Sequence, residues 1–174
     1  MNYFEFYKLP VHYKIDQKNL RRLFLQKSKE FHPDYHGMDS EVDQAAVLEK
    51  SSFNNEAYKV LKEDLSRLKY ILELNHLIGE KSNNNLPQTF LMEMMDINEQ
   101  VMDLQFDYNA QQHQLLLDAI SLKEADFRKD AEMALQNFHE DTSRSEDLKI
   151  MLEFYLKNRY IRRLRKNTEK LNQG

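Results

Sequence analysis

The sequence contains no cysteine. This excludes disulfides, a thiolate nucleophile, and zinc or iron–sulfur clusters held by cysteine. Glycine and proline are scarce, three of each in 174 residues. So few turn-formers cannot supply an all-β protein, and an all-α fold is predicted. The opening "MNYFEFYKLP" has no basic stretch followed by a long apolar run, and it lacks the arginine-rich, acid-poor character of a transit peptide. The expectation is an unprocessed cytoplasmic protein that does not enter a membrane. There is no phosphate-binding glycine loop, so ATP hydrolysis by this chain is not expected. What is present, 31% charged and 41% hydrophobic residues with a net charge of -4, is the composition of a soluble globular protein. The mild acidity argues against a coat for nucleic acid.

Asn2 followed by Glu5 has the form of a capping box and predicts a short helix from Tyr3 to about Lys8, before Pro10. Asp16 caps a second helix, in which Leu20, Leu23, Phe24 and Phe31 share one face while Lys18, Arg22 and Lys29 fall on the other. Pro33 ends it at Phe31 and opens a loop to about Ser40. Phe53, Ala57 and Leu61 mark a third helix; Leu65, Leu68, Leu72 and the stretch from Leu74 to Ile78 mark a fourth, with Gly79 as its terminator. "GEKSNNNLP", residues 79–87, is the polar, turn-forming stretch where a domain boundary belongs, giving domains at 1–78 and 88–174 joined by a linker at 79–87. Beyond it, Phe90, Met94, Ile97, Val101, Leu104 and Tyr108 form a helical seam. A helix from about Leu115 to Phe138 follows. Ser143 with Glu146 then boxes the start of a last one, seamed by Ile150, Phe154, Ile161 and Leu164. These three make a three-helix bundle.

"KEFHPDYHG", residues 29–37, concentrates chemistry in an otherwise helical chain. By ligand type His32, Asp34, His36 and His12 suit zinc or iron, but they lack the i, i+4 helical placement of His-Glu-x-x-His. Nothing marks a substrate pocket or an oxyanion hole for acid–base work by His32 and Asp34. The remaining alternatives are an ordinary polar turn after a terminated helix, or a recognition signature.

The neighbours favour the signature. "YFEFYKLP", His32-Pro33-Asp34 after a basic amphipathic helix, and "FNNEAYKVLKEDLSRLKYIL" with its N-x-A-Y-x-x-L pattern and following arginine resemble a J domain over the first 76 residues. J domains stimulate ATP hydrolysis by DnaK-type chaperones. The resemblance implies that Lys18, Arg21, Arg22 and Lys29 steer the module onto an acidic chaperone surface. It further implies that Asp34, held by Pro33, offers a carboxylate to a chaperone arginine. Leu25 and Gln26 stand at positions that many J domains make basic, and Tyr35 replaces the frequent lysine after the tripeptide. Weaker or differently tuned docking, or a dedicated partner chaperone, is the expected consequence. Lys27 lies toward the apolar side, where its stem can snorkel along the core.

In the second half, Leu91, Met92 and Met95 form an apolar strip beside the seam, bordered by Asp96, Glu99 and Asp103. Either the packing surface is wide and these residues are core, or the strip awaits a partner with a basic patch. "LPQTFLMEMMDINEQVMDL", residues 86–104, resembles the start of the C-terminal bundle of the HscB family, J-proteins of iron–sulfur cluster assembly. That resemblance implies an L-shaped two-domain co-chaperone, not an enzyme and without a cofactor, that presents the cluster scaffold IscU to an HscA-like ATPase. The scaffold-binding positions carried over are Leu91, Met92, Met95, Asp96, Glu99, Asp103 and Tyr160; Asp96 is shorter than the usual glutamate. The runner-up is a J-protein with a different client. "KNRYIRRLRK", residues 157–166, carries six basic residues and no acid, which suits either nucleic acid or an anionic membrane, or else a solvated face near a helix C-terminus. Without an aromatic stacking pattern the solvated face is preferred.

Overall fold

The computed structural model describes residues 1–32, 41–79, 85–139 and 145–173. Among these residues there are helices and connecting turns and no strand: α1 Tyr3–Phe6, α2 Gln17–Glu30, α3 Glu41–Lys62, α4 Asp64–Leu74, α5 Gln88–Phe106, α6 Ala110–Asn137 and α7 Ser145–Glu169, with a closing 3₁₀ turn at Lys170–Gln173. The chain divides into two compact units, Met1–Asn75 with Phe138–Ser143, and His76–Asn137 with Arg144–Gly174.

The first unit is built on capped helices and an aromatic cluster. The capping box forms: the Glu5 amide donates to Asn2 Oδ1 at 2.9 Å and the Asn2 amide donates to Glu5 Oε2 at 2.8 Å. α1 closes at Phe6, two residues short of the expected Lys8, because Lys8 turns into the left-handed region with φ 54°. Asp16 caps α2 by accepting from the amides of Lys18 and Asn19. α2 and α3 pair, and α1 lies on α3 through edge-on rings, Tyr3 and Phe6 each about 5 Å from Phe53.

Inside the hairpin sits a buried polar residue, Asn54. Its Nδ2 donates to Ser28 Oγ and the Phe24 carbonyl on α2, while its Oδ1 accepts from the Tyr7 hydroxyl at 2.7 Å. Burial pushes the Tyr7 phenol far up, so it stays a donor. Arg67 is buried as well, donating to the Tyr13 and Leu61 carbonyls and pairing with Asp64. One side chain thereby ties the start of α4 to the end of α3 and to the loop before α2.

α4 ends at Leu74, not at Gly79. Asn75 caps it by donating Nδ2 to the Ile71 carbonyl, and His76 supplies the left-handed turn with φ 58°. A Cβ added at Gly79 would meet nothing within 4 Å, so that glycine is not required there by packing.

The second unit is a three-helix bundle of α5, α6 and α7. Phe90, Met94, Ile97, Val101 and Leu104 form the buried seam of α5. Tyr108, expected in that seam, is exposed, because α5 ends at Phe106 and Asp107 is extended. Its hydroxyl instead reaches His113 Nδ1 at 3.1 Å, while buried His113 Nε2 lies 2.9 Å from the Thr168 carbonyl. A carbonyl can only accept, so Nε2 carries a proton and donates it to the Thr168 carbonyl; in the neutral tautomer this leaves Nδ1 to accept from the Tyr108 hydroxyl. α6 begins at Ala110, ahead of the expected Leu115, because Asn109 Oδ1 accepts from the Gln112 amide. On α7 the buried position is Met151, with Ile150 half-buried beside it; Phe154, Ile161 and Leu164 are core. Ser143 lies outside the described residues. Lys123 to Glu93 links α6 to α5, and Arg165 to Glu124 links α7 to α6.

Candidate partner-binding surfaces

Each unit presents one unusual surface. In the first unit, α2 buries Leu20 and turns Lys18, Arg21, Arg22 and Lys29 to solvent. Lys27 takes the other course: half-buried, its Nζ lies 4.2 Å from the centre of the Phe6 ring and 5.4 Å from that of Phe31. The cationic face is thus made of the four residues that do not tuck under the helix. Buried Phe31 closes α2, and exposed His32 follows directly, its amide donating to the Lys29 carbonyl. The basic helix therefore leads directly to His32; Pro33 and Asp34 lie outside the described residues.

In the second unit, Leu91, Met92 and Met95 are 42%, 61% and 66% exposed. The reading of a wide packing surface fails for them, since the core face of α5 is already complete without them. Asp96, Glu99 and Asp103 are exposed beside the strip. The apolar line extends beyond Met95: Met102 is exposed, and Phe106 is 89% exposed. Spacings of three and four from Met92 through Met95, Glu99, Met102 and Phe106 were the available signal. This line spans roughly 21 Å of helix.

Tyr160 is brought to the same place by a contact that the sequence did not suggest. Asn98 Nδ2 donates to the Tyr160 hydroxyl at 2.9 Å and to the Met94 carbonyl, and the Tyr160 ring stands edge-on to Phe90 at 5.4 Å. Beside Leu91, Tyr160 helps line a groove of about 400 Å³ with Leu86, Leu156, Arg159 and Arg163.

Among the described residues no group of three or more His, Asp or Glu is placed to hold a metal. His12 meets the His139 ring at 4.6 Å; burial first, then that second histidine, hold its pKa below the usual value. Asp34 and His36 lie outside the described residues. No described helix is long and apolar enough to cross a membrane.

Comparison with known proteins adds a second line of observation. Residues 86–169 match the family described as the HSCB C-terminal oligomerisation domain. A co-chaperone protein HscB homolog of Vibrio vulnificus (strain YJ016) is 35% identical over 121 residues, covering 68% of this chain and 70% of that one. The chain belongs to the HscB family. An HscB homolog of Vibrio campbellii is 38% identical over 106 residues, 60% of this chain, and the aligned stretch spans 61% of that relative. In fold, the chain resembles chaperone HscB from Vibrio cholerae, with a TM-score of 0.73 at 22% identity over 99% of this chain and 98% of the other. The human co-chaperone HscB gives a TM-score of 0.76 at 23% identity, covering 97% and 81%. The HscB-family bundle thus includes the whole of α5 and α7, and with them the strip, the groove and the basic run.

Proposed function

We propose that this HscB-family chain is a J-domain co-chaperone of iron–sulfur cluster assembly, acting in the cytoplasm. It stimulates a DnaK-type, HscA-like ATPase and delivers the scaffold IscU to it. The observation that carries the reading is the pairing, in one chain, of an exposed cationic helix leading into His32-Pro33-Asp34 with an exposed, acid-bordered methionine strip. The names of its relatives, co-chaperone HscB homologs, support it.

Lys18, Arg21, Arg22 and Lys29 attract an acidic chaperone surface, raising the rate of encounter in a salt-dependent way. Asp34 then takes a chaperone arginine in a charge-assisted pair. Leu91, Met92 and Met95 cover an apolar patch of the scaffold, while Asp96, Glu99 and Asp103 face its basic groups; Tyr160, anchored by Asn98, flanks the strip. The catalytic steps belong to the partner, and no cofactor is needed on this chain. Linking both docking surfaces raises the scaffold's effective concentration at the chaperone.

Steady-state ATP hydrolysis by a DnaK-type chaperone tests this. Added chain should raise the rate, scaffold and chain together should raise it by more than their separate effects, and Asp34→Asn should return it to baseline. No stimulation with a cognate chaperone would remove the J-domain assignment; stimulation without synergy would leave the client open.

A further inference from the structure

The groove beside the methionine strip has chemistry that neither the strip nor its acidic border explains. Its apolar lining comes from Leu86, Leu91 and Leu156, and its rim carries Arg159 and Arg163, one helical turn apart on α7. Of the six cations in the 157–166 run, two are already neutralised: Lys157 by Glu153 at 2.6 Å and Arg165 by Glu124 at 2.6 Å. Among the described residues, Arg159 and Arg163 have no carboxylate partner; they lie over aromatic rings instead, Arg159 over Tyr155 at 5.7 Å and Arg163 over Tyr160 at 5.4 Å. Stacking restrains each planar guanidinium while its N–H edge remains free to donate. Two such groups a turn apart repel each other until an anion joins them.

We propose that this groove takes a segment of the scaffold protein in which an apolar side chain is followed by an acidic one, the carboxylate seated between Arg159 and Arg163. The inference rests on the scaffold-docking reading above and extends it. Leu91 belongs to both the strip and the groove, and Tyr160 flanks the one and lines the other, so one bound protein covers both without a break. Charge complementarity sets the orientation. Asp96, Glu99 and Asp103 border the strip with negative charge, whereas the groove rim is positive, so the matching face must carry both signs in the reverse order. A phosphate-rich partner would be repelled by the acidic border, and a purely basic one by the arginines. The arginines of the basic run thus acquire a role in protein recognition rather than in binding nucleic acid.

Calorimetric titration of the full chain with purified scaffold at two salt concentrations tests the proposal. Arg159→Gln with Arg163→Gln should weaken binding by about five- to tenfold at low salt and flatten the salt dependence. Arg159→Lys with Arg163→Lys, which keeps charge but loses the planar fork, should fall between, and it remains informative should the glutamine pair misfold by circular dichroism. Unchanged affinity and salt dependence in the folded variants, with Met92→Ala/Met95→Ala still impairing binding, would overturn the acidic-segment proposal alone. A wild-type chain that does not bind scaffold would overturn both this proposal and the reading beneath it. Sedimentation showing self-association that the glutamine pair abolishes would put a second copy of the chain in the groove and equally overturn it.

Discussion

Arg67 shows what a residue's letter conceals. Its place after N-x-A-Y-x-x-L was legible as part of a family pattern, but its partners, the carbonyls of Tyr13 and Leu61, belong to backbone that no pattern of side chains names. Buried, with three donors engaged, it is a structural cation and not a docking one. Arg67→Met keeps much of the volume but strands two buried carbonyls and removes the charge from Asp64. A loss of about 2–4 kcal/mol of unfolding free energy is expected, read from urea denaturation. A loss below 0.5 kcal/mol would mean that water replaces the guanidinium without cost. Asn54 and Asn98 were equally opaque in the sequence, for the same reason. An asparagine on an apolar helix reads as an interruption, and only the facing helix reveals that Tyr7, Ser28 or Tyr160 completes it.

At the scale of the element, starts were more legible than ends. Asn2 and Asp16 announce their helices because the capping atom sits within three residues of the amides it serves. The end of α4 is not legible in the sequence, because Gly79 is the expected terminator, whereas His76 adopts the left-handed conformation and Asn75 caps the helix. Strip and seam of α5 are separable by phase in the sequence, but Asp96, Glu99 and Asp103 interrupt the apolar pattern and conceal its continuation to Met102 and Phe106. The loop before α2 brings a pH dependence. His12 meets Lys14 through its Nδ1 and His139 through its ring, and desolvation, followed by the His139 charge, lowers its pKa below 6.5. Between pH 6.5 and that lower folded value, the unfolded chain binds a proton that the native one refuses. Stability therefore falls as pH drops through this window, levels off below it, and is unaffected by His12 above it. His12→Asn, which retains an acceptor for the Lys14 amide, should lose less melting temperature than wild type between pH 7.5 and pH 5.5. Parallel losses in the two proteins would place the pH dependence elsewhere.

For the molecule as a whole, the two units with their own cores make a division of labour testable. The basic face of α2 and the strip of α5 lie in different units and share no residue, so substitutions in the two should act independently. Met92 and Met95 are mostly exposed, and truncating them removes little that the bundle core uses. What it removes is apolar area available to a partner, worth about 1.5–3 kcal/mol for each large side chain when fully covered. Met92→Ala with Met95→Ala is therefore expected to weaken scaffold binding by at least tenfold while leaving the helical circular dichroism unchanged. In the ATPase assay the same pair should keep the stimulation given by the chain alone within twofold and lose the additional rise that scaffold brings. Asp34→Asn should do the converse, keeping scaffold affinity within twofold and losing stimulation. If the methionine pair instead abolished stimulation in the absence of scaffold, the strip would be part of the chaperone contact. The bivalent mechanism would then give way to a single continuous docking surface.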